Sequence, residues 1–269
     1  MDFFRAADDT KIAFHRRGEG PPLICVPGGP MRAGAYLGGM GGLDAHRTLI
    51  QLDPRGTGAS DTPADPATYD CRLLAEDIEA LRLHLGLDRL DLAGHSAGAA
   101  VAVHYAARHP HRIAHLALLN PSPRVINLEI TNEDRREIAL LRRDEPWFPA
   151  AYAALERIWS GTQTDADWSA IDPFNYGRWD ESARADAAIE RNEKAAALYY
   201  GTSSAPDLFG VFAPVLLITG EYDLQIPPRR LRSYAAKFPN ATQAVAPAAA
   251  HTTWLDTPEW FVSTMTAFL

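Results

Sequence analysis

A series of short apolar runs, each cut off by glycine or proline and separated from the next by a stretch of helical periodicity, limits this chain more than any other feature. Leu23-Ile24-Cys25-Val26 ends at Pro27-Gly28-Gly29-Pro30, and Thr48 to Leu52 ends at Asp53-Pro54-Arg55-Gly56. Leu90 to Ala93, Ile113 to Leu119, Val215 to Thr219 and Thr242 to Ala246 repeat the pattern, and Lys11 to His15 forms a weaker early run. Between them Leu73, Leu74, Ile78, Leu81 and Leu85 recur at helical spacing until Gly86, Ala97 to Ala107 forms a small Ala-rich helix, and Pro258 to Leu269 a closing one. Continuous apolar strands are buried on both faces, and helices between them make the crossovers of a parallel sheet. The expected class is α/β, a mostly parallel central sheet flanked by helices.

The pattern lapses after Asn120-Pro121-Ser122-Pro123. Residues 124–205 carry helical periodicity without a clear strand and hold Trp147, Trp159, Trp168 and Trp179. They are read as a helical cap inserted between a first core segment, 1–123, and a second, 206–269. Aromatic side chains there, Trp159 and Trp179 among them, are expected to divide between cap packing and a pocket wall.

Composition narrows the partners. The 269 residues carry 26 Lys or Arg against 34 Asp or Glu, a formal charge of −8. That balance argues against nucleic acid or an anionic membrane as partner. No run approaches the roughly 18 apolar residues of a membrane span, and the first residues have no basic or long apolar leader segment. A cytoplasmic chain acting on a small molecule or short peptide is the expectation. Cys25 and Cys71 are two cysteines without a disulfide framework. His104, His109, His111 and His115 match no compact metal-ligand spacing and are read as a helix end and turn.

The segment Leu90-Asp91-Leu92-Ala93-Gly94-His95-Ser96-Ala97-Gly98 places Gly-x-Ser-x-Gly between a strand and a helix. A nucleophile at such a tip needs small residues two positions before and after it, and a following helix N-terminus favours developing negative charge. His95 is expected to point away from Ser96. A serine needs a base, and the base an orienting acid. After a nucleophile on this kind of turn the acid comes next in the chain and the histidine last. Only His251 follows the resumed sheet. Asp223 follows the run Val215–Thr219 with three residues between, with Glu221 as runner-up, while the end of the earlier strand holds the uncharged Asn120. For an oxyanion the expected donors are the N–H of Ala97 and one from the Pro27–Pro30 loop, where Gly28 is preferred and Gly29 is second because prolines have no N–H.

Taken together these segments resemble the α/β-hydrolase superfamily, and within it the proline iminopeptidase-like (prolyl aminopeptidase) branch. Val26-Pro27-Gly28-Gly29-Pro30 resembles that branch's His-Gly-Gly-Pro-Gly loop, with Pro27 in place of its His and Met31 in place of its last Gly. Asp53-Pro54-Arg55-Gly56-Thr57-Gly58-Ala59-Ser60 resembles its Asp-Gln-Arg-Gly-x-Gly-x-Ser segment, and Ser96, Asp223 and His251 fall at its triad positions. The resemblance implies the α/β-hydrolase fold, hydrolysis through an acyl-enzyme, no metal or organic cofactor, and a loop-fixing role for Arg55. It also implies a cap carboxylate for a substrate amine, for which Trp179-Asp180-Glu181, Glu190 and Glu193 are the candidates. The expected activity is cleavage of a small ester or amide, as an aminopeptidase or as a carboxylesterase or lactonase. A non-hydrolytic use of the scaffold, as a lyase, cofactor-free haloperoxidase or ligand receptor, is the alternative class.

Overall fold

The computed structural model describes residues 1–201 and 205–269. Eight strands form one sheet: β1 (Asp2–Arg5), β2 (Lys11–Arg17), β3 (Pro22–Val26), β4 (Thr48–Leu52), β5 (Leu90–His95), β6 (Ile113–Leu119), β7 (Val215–Gly220) and β8 (Ala241–Ala246). Their order is β1-β2-β4-β3-β5-β6-β7-β8. The β1/β2 and β2/β4 pairs are antiparallel and the other pairs parallel. The strand β1 carries no apolar run of its own to announce it. Pairing with β2, in register Phe3 with Ala13, makes it a strand.

Side chains alternate across the sheet as strand geometry requires. Ile24, Val26, Leu92, Leu116, Leu118 and Leu217 face one side, where α1 (Cys71–His84) and α2 (Gly98–Arg108) pack. Leu23, Cys25, Ala93, Ala117, Leu119 and Ile218 face the other. Between β6 and β7 the described residues form helices and turns only: α3 (Asn132–Ala139), α4 (Phe148–Ser160), α5 (Asp165–Ala170), α6 (Glu181–Ala187) and α7 (Glu193–Leu198). Residues 202–204, within the stretch expected to form the insertion, lie outside the described residues. After β7 come α8 (Pro228–Ala235), α9 (Thr253–Asp256) and α10 (Pro258–Phe268). The helix α8 packs through Leu231 and Tyr234 on the α1/α2 side; α9 and α10 pack through Trp254, Phe261 and Met265 on the opposite face. The helix α8, with few apolar residues, was not anticipated.

The stretch between β6 and β7 has a small core of Ile138, Ala151, Leu155 and Phe174, which Leu224 joins from the loop after β7. It is fastened by charge as well. Asp134, fully buried in α3, accepts from Arg229 and Arg230 of α8 and closes a capping box with Thr131. No described helix is long and apolar enough to cross a membrane.

Because β3, β5, β6, β7 and β8 are parallel neighbours, the loops from their carboxyl ends share one edge. In spatial order these carry Gly28–Pro30, Ser96, Asn120, Asp223 and His251. The edge depends on the packing of the strands beneath it. Leu217 in β7 is fully buried, so Leu217→Ala should lower the unfolding free energy by about 2–5 kcal/mol in urea titration. Leu83→Ala, on an exposed face of α1, should stay within about 0.5 kcal/mol of wild type.

Candidate active site

The chain leaves β5 at His95 and enters α2 at Gly98, and Ser96 turns the corner with φ of +52°. That left-handed conformation costs a non-glycine residue roughly 1–3 kcal/mol unless its surroundings hold it. Here they do. The Ser96 N–H donates to Leu119 O at 2.9 Å, and the Ser96 carbonyl accepts from Ser122 N at 3.0 Å and Ala99 N at 3.1 Å. The flanking glycines are required by space. A Cβ on Gly98 would stand 2.3 Å from Val26 O, and one on Gly94 2.7 Å from Gly98 O. Ser96 keeps part of its surface accessible.

His251 lies on the loop between β8 and α9. Its Nε2 is 2.8 Å from Ser96 Oγ, and its Nδ1 is 3.1 and 3.2 Å from the Asp223 carboxylate oxygens. A carboxylate only accepts, so Nδ1 carries the hydrogen and Nε2 is free to accept from the serine hydroxyl. Backbone bonds fix the loop: His251 N–H donates to Asn175 O at 2.9 Å and Ala250 N–H to Asp256 Oδ2 at 2.8 Å.

Asp223 is fully buried. Burial by itself raises a carboxyl pKa, but His251, the Asn120 amide and the Gln225 N–H outweigh it and hold Asp223 below the ordinary carboxylate value. Asn120 donates to Asp223 Oδ2 at 2.8 Å and to Ala250 O at 3.0 Å. It thus ties the acid loop to the base loop. Its own φ is +47°. The sequence marked Asn120 only as a position lacking a carboxylate; the structure makes it a partner of the carboxylate. Glu221 points aside and accepts from Ala248 N at 2.8 Å.

The two glycines of the oxyanion loop differ in their hydrogen bonding. The Gly28 N–H, the preferred donor from sequence, is engaged, donating to Tyr36 Oη at 2.7 Å. The N–H groups of Gly29 and Ala97 have no hydrogen-bond acceptor among the described residues. Tyr36 sits on a one-turn helix nine residues from the loop's start, and no motif pointed to it.

The expected substrate contacts in the insertion find other surroundings. Trp159 packs edge-on against Tyr152 under the Arg136 guanidinium, beside the insertion core. Trp179 lies against Tyr176 and Arg184. Glu190 is exposed, and the exposed Glu193 pairs with Arg191 at 2.8 Å. Asp180 caps α6 by accepting from Ala183 N. Asp186, a buried carboxylate, accepts from Tyr176 Oη at 2.7 Å and pairs with Arg32 at 3.4 Å. The end of the insertion reaches the serine turn, where Tyr199 Oη donates to Ala97 O at 2.7 Å. A cavity of about 510 Å³ opens beside the base loop, walled by Arg142, Gly177, Tyr222, Ala248 and Asp256, and neither Ser96 nor His251 lines it. Arg55 bonds Asp77 and Asp8. The histidines near α2 are separated: His115 meets Asp91 at 2.8 Å, His109 approaches Glu76, and His104 is buried. Among the described residues no group of three His, Cys, Asp or Glu side chains is disposed to hold a metal.

A family model described as alpha/beta hydrolase fold matches residues 21–258. A proline iminopeptidase of Clostridium botulinum is 32% identical over 129 residues, 47% of this chain and 43% of that protein. A (lyso)-N-acylphosphatidylethanolamine lipase of Homo sapiens is 36% identical over 105 residues, 37% of this chain and 30% of that one. The matched stretch therefore spans less than half the length of either relative. An esterase from Exiguobacterium antarcticum has the same fold, with a TM-score of 0.74 at 18% identity, covering 99% of this chain and 98% of that one.

The depressed pKa of Asp223 sets a pH dependence. Its stabilising contribution is complete above the unfolded-chain value of about 4 and is lost as the pH falls through the lower folded-state value. Wild type should therefore lose unfolding free energy relative to Asp223→Asn as the pH falls below about 4, read from urea midpoints. A constant difference between the two proteins over that range would mean that the carboxylate is not held charged.

Proposed function

The chain belongs to the alpha/beta hydrolase fold family, and on that premise we propose that it is a serine hydrolase that cleaves a small ester through an acyl-enzyme on Ser96. One observation carries the reading: Ser96 Oγ stands 2.8 Å from a histidine nitrogen whose partner nitrogen faces a buried carboxylate. His251 Nε2 takes the hydroxyl proton as Ser96 Oγ attacks the substrate carbonyl carbon. The N–H groups of Gly29 and Ala97 are the donors we assign to the oxygen that becomes negative. His251 then delivers the proton to the leaving alkoxide, and water enters by the same route to release the acid. Asp223 stays ionised, holding the ring in its Nδ1–H form and stabilising the imidazolium. Residues 124–205 act in this reading as a cap that bounds the substrate.

An ester suits the surroundings better than an N-terminal residue with a free amine. The insertion carboxylates offered by the sequence are exposed, and Asp186 already serves Arg32 and Tyr176. Aminopeptidase-like cleavage, or removal of an aminoacyl group from a small molecule, is the second reading, favoured by the likeness to a proline iminopeptidase.

A fluorophosphonate probe should label wild type at neutral pH on Ser96, shown by mass spectrometry. Ser96→Ala and His251→Ala should each cut turnover of 4-nitrophenyl acetate by about 10⁴-fold or more. Absence of labelling with turnover intact in Ser96→Ala would overturn the proposal. Faster hydrolysis of prolyl 4-nitroanilide than of the ester would shift it to the aminopeptidase reading.

A further inference from the structure

A buried polar chain crosses behind the serine and involves none of the three reacting side chains. It begins at the Gly28 N–H, 2.7 Å from Tyr36 Oη. Tyr36 Oη is 2.6 Å from His95 Nδ1, and His95 Nε2 is 2.9 Å from the backbone carbonyl of His251. Tyr36 and His95 are 7% and 4% exposed, so water does not substitute for these bonds. The Trp254 ring meets His95 edge-on at 4.6 Å, and the Arg32 guanidinium covers the Tyr36 ring at 4.1 Å.

The direction of every bond follows from chemistry. A carbonyl oxygen only accepts, so His95 Nε2 carries a hydrogen. Burial, then the neighbouring His251 and Arg32, keep the ring neutral, so Nδ1 is bare and accepts the Tyr36 hydroxyl hydrogen. The tyrosine oxygen is left to accept from Gly28. The chain therefore runs one way, from the loop that offers Gly29 to the backbone of the base, through the residue next to the nucleophile in sequence.

We propose that Tyr36 and His95 are positioning residues: they form a clamp that fixes the Gly29 donor and the His251 ring relative to one another across the serine turn. The clamp rests on the serine-hydrolase reading above. Its three hydrogen bonds act on the reacting geometry and none of them reaches residues 124–205, so its loss is felt in kcat. A misplacement of about 1 Å in such a site can cost on the order of a hundredfold in rate. Because both side chains belong to one chain of bonds, breaking it twice costs little more than breaking it once.

Steady-state turnover of 4-nitrophenyl acetate by Tyr36→Phe, His95→Gln, His95→Leu and the double variant Tyr36→Phe/His95→Leu tests this, with thermal melts to verify folding. Tyr36→Phe should lower kcat about tenfold to a hundredfold with KM within about twofold. His95→Gln, which can return an N–H toward the His251 carbonyl, should lose less than His95→Leu and remains informative if the tyrosine variant does not fold. The double variant should lose no more than about twice what His95→Leu loses. Nitrogen-15 NMR of the free enzyme at neutral pH should find His95 neutral, with its hydrogen on Nε2. Unchanged kcat in Tyr36→Phe, multiplied losses in the double variant, or a hydrogen on Nδ1 would each overturn the clamp. If Ser96→Ala turns over like wild type while His95 still shows its hydrogen on Nε2, it is the serine-hydrolase reading that has failed, and the catalytic role of the clamp falls with it.

Discussion

Everything at the carboxyl edge of this sheet depends on a serine backbone forced to +52° in φ. In isolation that conformation would relax. It persists because Leu119 of the next strand takes the Ser96 N–H, Ser122 and Ala99 donate to its carbonyl, and Gly94 and Gly98 leave room for neighbouring backbone at under 3 Å from where a Cβ would stand. The strain is thus distributed over β5, β6 and the loop after β3. Its effect is to present a hydroxyl at the tip of the turn, with the N-terminus of α2 behind it.

Hydrogen bonds among the buried polar groups around that hydroxyl do more than hold individual side chains. Asn120 bridges the acid and base loops. The Tyr36–His95 pair bridges the loop after β3 and the base loop. Tyr199 fastens the end of the insertion to Ala97. A buried polar group left unpaired costs about 1–3 kcal/mol, so each link resists the independent movement of the loops it joins. Loops from five strands are held together by hydrogen bonds, while the apolar clusters on either face of the sheet set the strands beneath them.

Legibility from sequence varied with the range of the cause. The central strands and the helices α1, α2 and α10 were visible because their periodicity is local: apolar runs cut by glycine or proline, or leucines at helical spacing. The strand β1 and the helix α8 were not, because β1 is defined by pairing with β2 and α8 by contacts of Leu231 and Tyr234 with the core. Ser96, Asp223 and His251 could be singled out because a strand-to-helix turn and the chain order of partners restrict the choice. For the donor in the Pro27–Pro30 loop the sequence leaves two glycines, and nothing near Gly28 in sequence announces that Tyr36 takes its N–H. The surroundings of the carboxylates in 124–205 are illegible for the same reason. Glu190 and Glu193 are acidic residues in the right region, but facing depends on how short helices settle against one another and on Arg191 and Arg32.

A mostly parallel sheet with a strained serine turn follows from patterns spanning a few residues: strand hydrophobicity, small residues flanking Ser96, and a histidine after the resumed sheet. Tertiary structure alone decided which backbone N–H stays free, that Asn120 serves the carboxylate, and that His95 reaches the carbonyl of a residue 156 positions away. Those outcomes depend on hydrogen-bond partners brought together by strand order, and a hydrogen bond between distant segments leaves no periodicity in either of them.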